Sequence, residues 1–241
     1  MAFKIQSTKN INVNDGIKIL VYGAPKLGKT RLIRTLPNPF IAACETGCGS
    51  GLLSLKGEDK QYPFTVIANM TDIDDFIKWV SGSKEADNFE SICLDSISEM
   101  ADIIFVHQHT EWKGDARKVY PAVERIVQDL IRKFLNIKKN VYFTAKEQVE
   151  SVEGLQARYG LKFPGQKLPS AVPFMFDEIF RLWEWEVEQE DKTIQKGIAL
   201  KTKASPHYFA GDRSGTLDED EEADLSNIIN KIIHGKVRSG N

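Results

Sequence analysis

Residues Gly23-Ala24-Pro25-Lys26-Leu27-Gly28-Lys29-Thr30 match the spacing G-x-x-x-x-G-K-[ST]. The apolar run Ile17-Lys18-Ile19-Leu20-Val21-Tyr22 precedes them, and Arg31-Leu32-Ile33-Arg34 follows with residues that can open a helix. Strand, glycine-bracketed turn and helix in this order are the context in which the pattern holds phosphate. Glycines let successive backbone N–H groups point inward around phosphate oxygens, and the helix start adds positive partial charge. The expected binding set is Gly23 through Thr30 with Arg31. Lys29 is expected on the β- and γ-phosphates of a nucleoside triphosphate, and the Thr30 hydroxyl on Mg²⁺.

This motif needs a sheet behind it, and the 241-residue chain is long enough for one large α/β domain. Hydrophobic residues make up 41% and charged residues 27%, the balance of a globular protein and not of a disordered one. No apolar run approaches the roughly 20 residues that span a bilayer, so no membrane partner is expected. Met1-Ala2-Phe3-Lys4-Ile5 lacks the features of a signal peptide. Cys44, Cys48 and Cys93 do not make a disulfide framework, which suggests a cytoplasmic location. A net charge of −2 confines any nucleic-acid surface to a local patch.

Strand-like runs at 17–22, 40–44, 65–68, 91–95 and 140–145 alternate with helical patterns at 29–36, 72–80 and 119–136. For the second helix, Thr71 or Asp72 is the expected cap. Alternation of this kind predicts a mostly parallel twisted sheet with helices on both faces. Residues 150–173 show no period and read as a mobile loop. Residues 178–187 and 194–202 read as a C-terminal β-hairpin, and 219–235 as a final helix with acids in its first turn. Residues 1–15 are an N-terminal extension, and the whole chain, 1–241, reads as a single domain.

Asp95 ends an apolar strand, where an open α/β sheet presents residues to its ligand, and is expected to orient Mg²⁺ through a water. Glu45 ends the strand at 40–44. If that strand neighbours the phosphate-loop strand, Glu45 faces the γ-phosphate and can polarise the attacking water. Glu99 is a rival acid. The segment 151–172 sets Arg158, Lys162 and Lys167 against one acid, Glu153, with Tyr159 and Phe163 interleaved. Cations that meet phosphates and rings that stack on bases suit single strands of nucleic acid. A second candidate stretch, 107–118, carries Trp112, Lys113, Arg117 and Lys118.

The chain resembles the RecA-like ATPases, and within them the phage-encoded RecA-type single-strand annealing proteins. The resemblance rests on 23–30, Cys44-Glu45-Thr46-Gly47, Cys93-Leu94-Asp95-Ser96, 141–148, 176–182 and 201–213. It implies a RecA-like P-loop NTPase fold and a homo-oligomer, ring or filament, with ATP at subunit interfaces. It further implies DNA-linked ATP hydrolysis in annealing or recombination, in the host cytoplasm if phage-encoded. Glu45 then corresponds to the water-activating glutamate, and Gln148 to a γ-phosphate sensor, with Lys146 competing. Lys201 and Lys203 resemble a lysine pair that enters the neighbouring subunit's ATP site. Arg213 is an alternative finger, and two solvated edge-strand lysines are the plainer account. The chain lacks a separate N-terminal DNA-binding domain, which argues against autonomous strand exchange. A nucleotide-dependent assembly module without DNA activity is a rival reading. A small-molecule kinase is disfavoured because no arginine-rich lid is visible, and a GTPase because no Asn-Lys-x-Asp signal occurs.

Overall fold

The computed structural model describes residues 15–44, 50–57, 60–152, 155–189 and 191–236. Its strands are β1 (Lys18–Gly23), β2 (Pro39–Ala43), β3 (Phe64–Val66), β4 (Ser91–Asp95), β5 (Asn140–Val152), β6 (Leu155–Leu161), β7 (Glu178–Glu188), β8 (Ile194–Lys201), β9 (Gly211–Asp212) and β10 (Asp220–Glu222). The helices are α1 (Met70–Gly82), α2 (Ile97–Glu111), α3 (Ala116–Leu135), α4 (Leu168–Ala171) and α5 (Leu225–His234). The sheet runs β10-β8-β7-β1-β5-β4-β2-β3, and the six strands from β7 to β3 are parallel.

Period-two alternation sends successive side chains to opposite faces. Leu20 and Tyr22 of β1 join a core built with α1, α2 and α3, whereas Ile19 and Val21 join a second core with Leu32, Ile33 and α5. Both faces are therefore covered, as a parallel sheet requires. The α/β architecture expected from the sequence is the one observed.

Several local expectations are corrected. Most of the described residues of the segment 150–173 are not loop. β5 runs on past the sheet and turns back as β6 in an antiparallel hairpin, Gln148 opposite Gly160 and Glu150 opposite Arg158. The outer part of β5, from Lys146 on, is largely polar, whereas Leu155, Ala157, Tyr159 and Leu161 alternate along β6, a strand signal that the loop expectation passed over. The phosphate loop leads into a short 3-10 helix, Thr30–Thr35, not an α-helix to Leu36. The cap of α1 is Asn69, in a reciprocal capping box with Asp72. α2 has a readable signal, Ser96 capping Ile97, Met100, Ala101 and Ile104 at helical spacing, that the strand-centred expectation passed over. The acids before α5 are not its first turn: Asp220–Glu222 pair with β8, and Asp224 caps a helix that begins at Leu225. β2 does not neighbour β1; β5 and β4 lie between them.

β7 opens on a buried carboxylate. Glu178 is 1% exposed, accepts from the Ser214 N–H at 3.3 Å and faces Asp212 and Asp177. Burial, reinforced by the Asp212 carboxylate, pushes its pKa from 4.5 up to about 9. Burial also works on Asp212, but bonds from Ser214 Oγ and from the Leu217 and Gly215 N–H groups outweigh it and hold that carboxyl low. The native state thus keeps a proton that the unfolded chain releases between pH 4.5 and about 9. Stability should fall with rising pH across that window, by up to about 1.4 kcal/mol per pH unit. Lys18, lowered to about 8 by burial against the pull of Asp177 and Asp15, opposes this trend only above that value. Glu178→Gln is expected to flatten the slope, gaining on the parent at about pH 8 relative to about pH 5 in urea midpoints. Parallel pH profiles would refute it.

Candidate functional site

The turn after β1 is wound by two left-handed residues, Lys26 at φ 62 and Gly28 at φ 111. Gly28 takes this conformation without the penalty that a Cβ imposes. Gly23 is required for a different reason, since a Cβ there would lie 2.7 Å from the Leu182 carbonyl oxygen of β7. The Lys29 ammonium folds back over the turn and donates to the carbonyls of Gly23 at 2.7 Å and Ala24 at 2.8 Å. Tyr142 of β5 donates its hydroxyl to the Lys29 carbonyl at 2.8 Å, fixing the loop from below.

Thr30 Oγ1 donates to Asp95 Oδ2 at 2.6 Å, and Thr144 Oγ1 donates to Asp95 Oδ1. Asp95 is thus buried, with both oxygens oriented by hydroxyls from two other elements. A hydroxyl and a carboxylate side by side are the hard oxygen donors that Mg²⁺ prefers, so this pair fits that ion. The Cys44 N–H bonds the Asp95 carbonyl at 2.8 Å, so the chain leaving β2 passes directly beside it. Glu45 itself lies outside the described residues.

These groups border a cavity of about 590 Å³, the size of a small-molecule site. Its walls carry Lys26, Lys29, Arg31, Lys146 and Lys162 against Asp95 and Glu147, a cationic lining suited to a polyphosphate. β5 lies between β1 and β4, so its end delivers Lys146 and Glu147 between the phosphate loop and Asp95. Lys146 pairs with Glu99 and, at 3.5 Å, with Asp102. Burial lowers its pKa, and these carboxylates more than offset that, leaving it raised. Glu99 is therefore engaged by a cation. Glu147 binds Arg181 Nε at 2.7 Å in a largely buried pair, and the Arg181 guanidinium lies 3.7 Å from the Tyr159 ring centre. Glu147 and Arg181 were not among the expected site residues; a charged pair directly following the apolar run of β5 was the available signal.

Other expected residues fall elsewhere. Gln148 does not line the cavity; it points along the hairpin and donates to Glu150 at 2.6 Å, because the register of β5 turns it away from the phosphate loop. The Lys201 side chain, 15% exposed, bonds Asp220 at 2.6 Å and lies 4.4 Å over the Trp183 ring, so its charge is spent within its own chain. Lys203 is exposed. Arg213 pairs with Asp177 at 2.9 Å. Phe163 is a core residue and cannot stack on a base, and Tyr159 is half-buried against Arg181. Arg158 lies 4.3 Å over the Phe209 ring, Lys167 pairs with Glu124 at 3.5 Å, and Lys162 faces the cavity. The mixed basic and aromatic platform expected at 151–172 is therefore not assembled among the described residues. No cluster of three or more metal-ligating side chains occurs among the described residues, and no helix among them is long and apolar enough to cross a membrane.

A phosphate loop at the end of one parallel strand, with the Thr30–Asp95 pair two strands over, defines a P-loop ATPase of RecA-like fold. The chain belongs to the AAA domain family, whose profile matches residues 15–214. Among solved structures it is similar to an ATPase from the type III secretion system of pathogenic bacteria. That match has 12% identity and a TM-score of 0.51, covering 70% of this chain and 52% of that one. A KaiC-like protein from the hyperthermophilic archaeon Pyrococcus horikoshii OT3 is similar at 11% identity and a TM-score of 0.44, covering 77% and 78%. The likeness to the secretion-system ATPase concerns the fold alone. No curated protein sequence matches the chain.

Proposed function

We propose that the protein binds ATP with Mg²⁺ in the 590 Å³ cavity, hydrolyses it, and couples nucleotide state to single-stranded DNA in annealing or recombination. The observation that carries the ATP half is the Thr30–Asp95 bond at 2.6 Å beneath the phosphate loop. In this reading residues 23–31 hold the phosphates, with Lys29 as their main cation. Thr30 and Asp95 hold Mg²⁺, which when bound neutralises charge on the phosphates and polarises them. Glu45, next in sequence to the Cys44 that bonds the Asp95 carbonyl, positions the attacking water. Residues 1–241 act as one domain, in a homo-oligomer whose subunits meet at the ATP site, and Lys203 is an exposed lysine available to a neighbour.

The DNA half is supported by topology. The β5–β6 hairpin that would contact a strand grows directly out of the strand end that lines the ATP cavity. A second reading, a nucleotide-driven assembly module without DNA affinity, is favoured by the engaged rings of Tyr159 and Phe163. ATP turnover with and without single-stranded DNA separates them. We expect several-fold stimulation by DNA; turnover indifferent to DNA, in protein that oligomerises on ATP, would favour the assembly module.

A further inference from the structure

Lys162 follows β6 at the base of the hairpin, directly across from Lys146, whose carbonyl accepts the Lys162 N–H at 2.9 Å. Its own carbonyl accepts from Ser98 Oγ of α2 at 2.8 Å, and the same Ser98 oxygen accepts the Lys146 N–H at 3.0 Å. Its neighbours Leu161 and Phe163 are both buried in the core. Buried, exposed, buried is strand alternation, and it turns the Lys162 side chain away from the core and toward the cavity that it lines.

The other charges of that wall are already matched. Lys146 is held by Glu99 and Asp102, and Glu147 by Arg181. Among the described residues no carboxylate lies within ion-pair distance of Lys162. A cation on a rigid backbone, bordering the same cavity as Lys29, Arg31 and Lys26, raises the positive potential that a polyanion must relieve.

We infer that Lys162 is a γ-phosphate-binding residue, acting in cis from the base of the β5–β6 hairpin, and not a nucleic-acid contact. The inference rests on the ATP reading above and deepens it. Because the Lys162 backbone is bonded to both β5 and α2, its cation is held at the cavity before nucleotide arrives. The phosphate loop serves ATP and ADP alike, whereas a cation on the far wall distinguishes them.

The test is the affinity of the full chain, without DNA, for a non-hydrolysable ATP analogue and for ADP, read by displacement of a fluorescent nucleotide. Lys162→Ala is expected to weaken the ATP analogue about tenfold and ADP less than about twofold, a charge-assisted hydrogen bond being lost only with the former. Lys162→Arg should restore most of the difference. Lys162→Gln, which preserves length, should repeat the alanine result if the alanine variant folds poorly. Lys167→Ala, whose partner Glu124 lies off the cavity, should change neither affinity. An unchanged ratio of ATP to ADP affinity in the Lys162 variants, whether both values hold or both fall, would overturn the assignment alone. Wild-type protein that bound neither nucleotide would overturn the ATP reading and this assignment with it.

Discussion

Lys29→Ala is expected to lower ATP affinity by about 100-fold or more while leaving the fold intact. Its ammonium is held over the phosphate loop by the Gly23 and Ala24 carbonyls, a position from which it can exchange neutral acceptors for phosphate oxygens. Removing one partner of a buried charge-assisted contact costs about 2–5 kcal/mol, and each 1.4 kcal/mol is a factor of ten. The loop's N–H groups remain, so binding weakens without disappearing. Titration with a fluorescent ATP analogue measures the loss, and a parallel thermal melt checks the fold. If affinity were unchanged, residues 23–30 would be a structural turn and the assignment of the cavity would fall with them.

Asp95→Asn should cost about 10²–10³ in turnover, the scale of losing one preorganised group that stabilises transition-state charge. Asparagine keeps an acceptor for one of the two hydroxyls, from Thr30 and Thr144, that now point at Asp95. The variant therefore separates chemistry from folding better than alanine does. Phosphate release at saturating ATP reads the rate, and ATP affinity with Mg²⁺ or with chelator reads the metal. The parent should bind more tightly with Mg²⁺ and the variant should not. Full turnover in Asp95→Asn would move the Mg²⁺ site elsewhere.

The parts of this molecule visible in its sequence are those in which one local pattern has one physical outcome. The phosphate loop is such a part, because its glycines and Lys-Thr pair serve backbone geometry and charge within eight consecutive residues. The apolar runs of β1, β2, β4 and β5 are another, since only a sheet covered on both faces suits them. Strand order was not legible: whether β2 neighbours the phosphate-loop strand was left open, and β2 lies beyond β5 and β4, a matter of crossovers between distant segments. The β5–β6 hairpin was missed although Leu155, Ala157, Tyr159 and Leu161 alternate along β6, because the partner half of β5 is polar and one short alternation is a weak signal by itself. Charge partners were equally hidden. Lys201 and Asp220, Lys146 and Glu99, Glu147 and Arg181 are far apart in sequence, and pairing decides whether a cation is available to a ligand. Lys162 looked like a member of a basic stretch until its neighbours were seen to be buried.

The placement of β1 between β5 and β7 also governs when the molecule can acquire its ligand. The Ile17 N–H bonds an Asn140 side chain 123 residues away, and β7 begins only at Glu178. During synthesis the phosphate loop therefore stays without both flanking strands until β7, which begins at Glu178, has been made. Contacts of such long sequence separation form slowly, because loop closure precedes their stabilising return. ATP consequently cannot act as a template for the early chain; it can select only molecules whose sheet has already closed around β1.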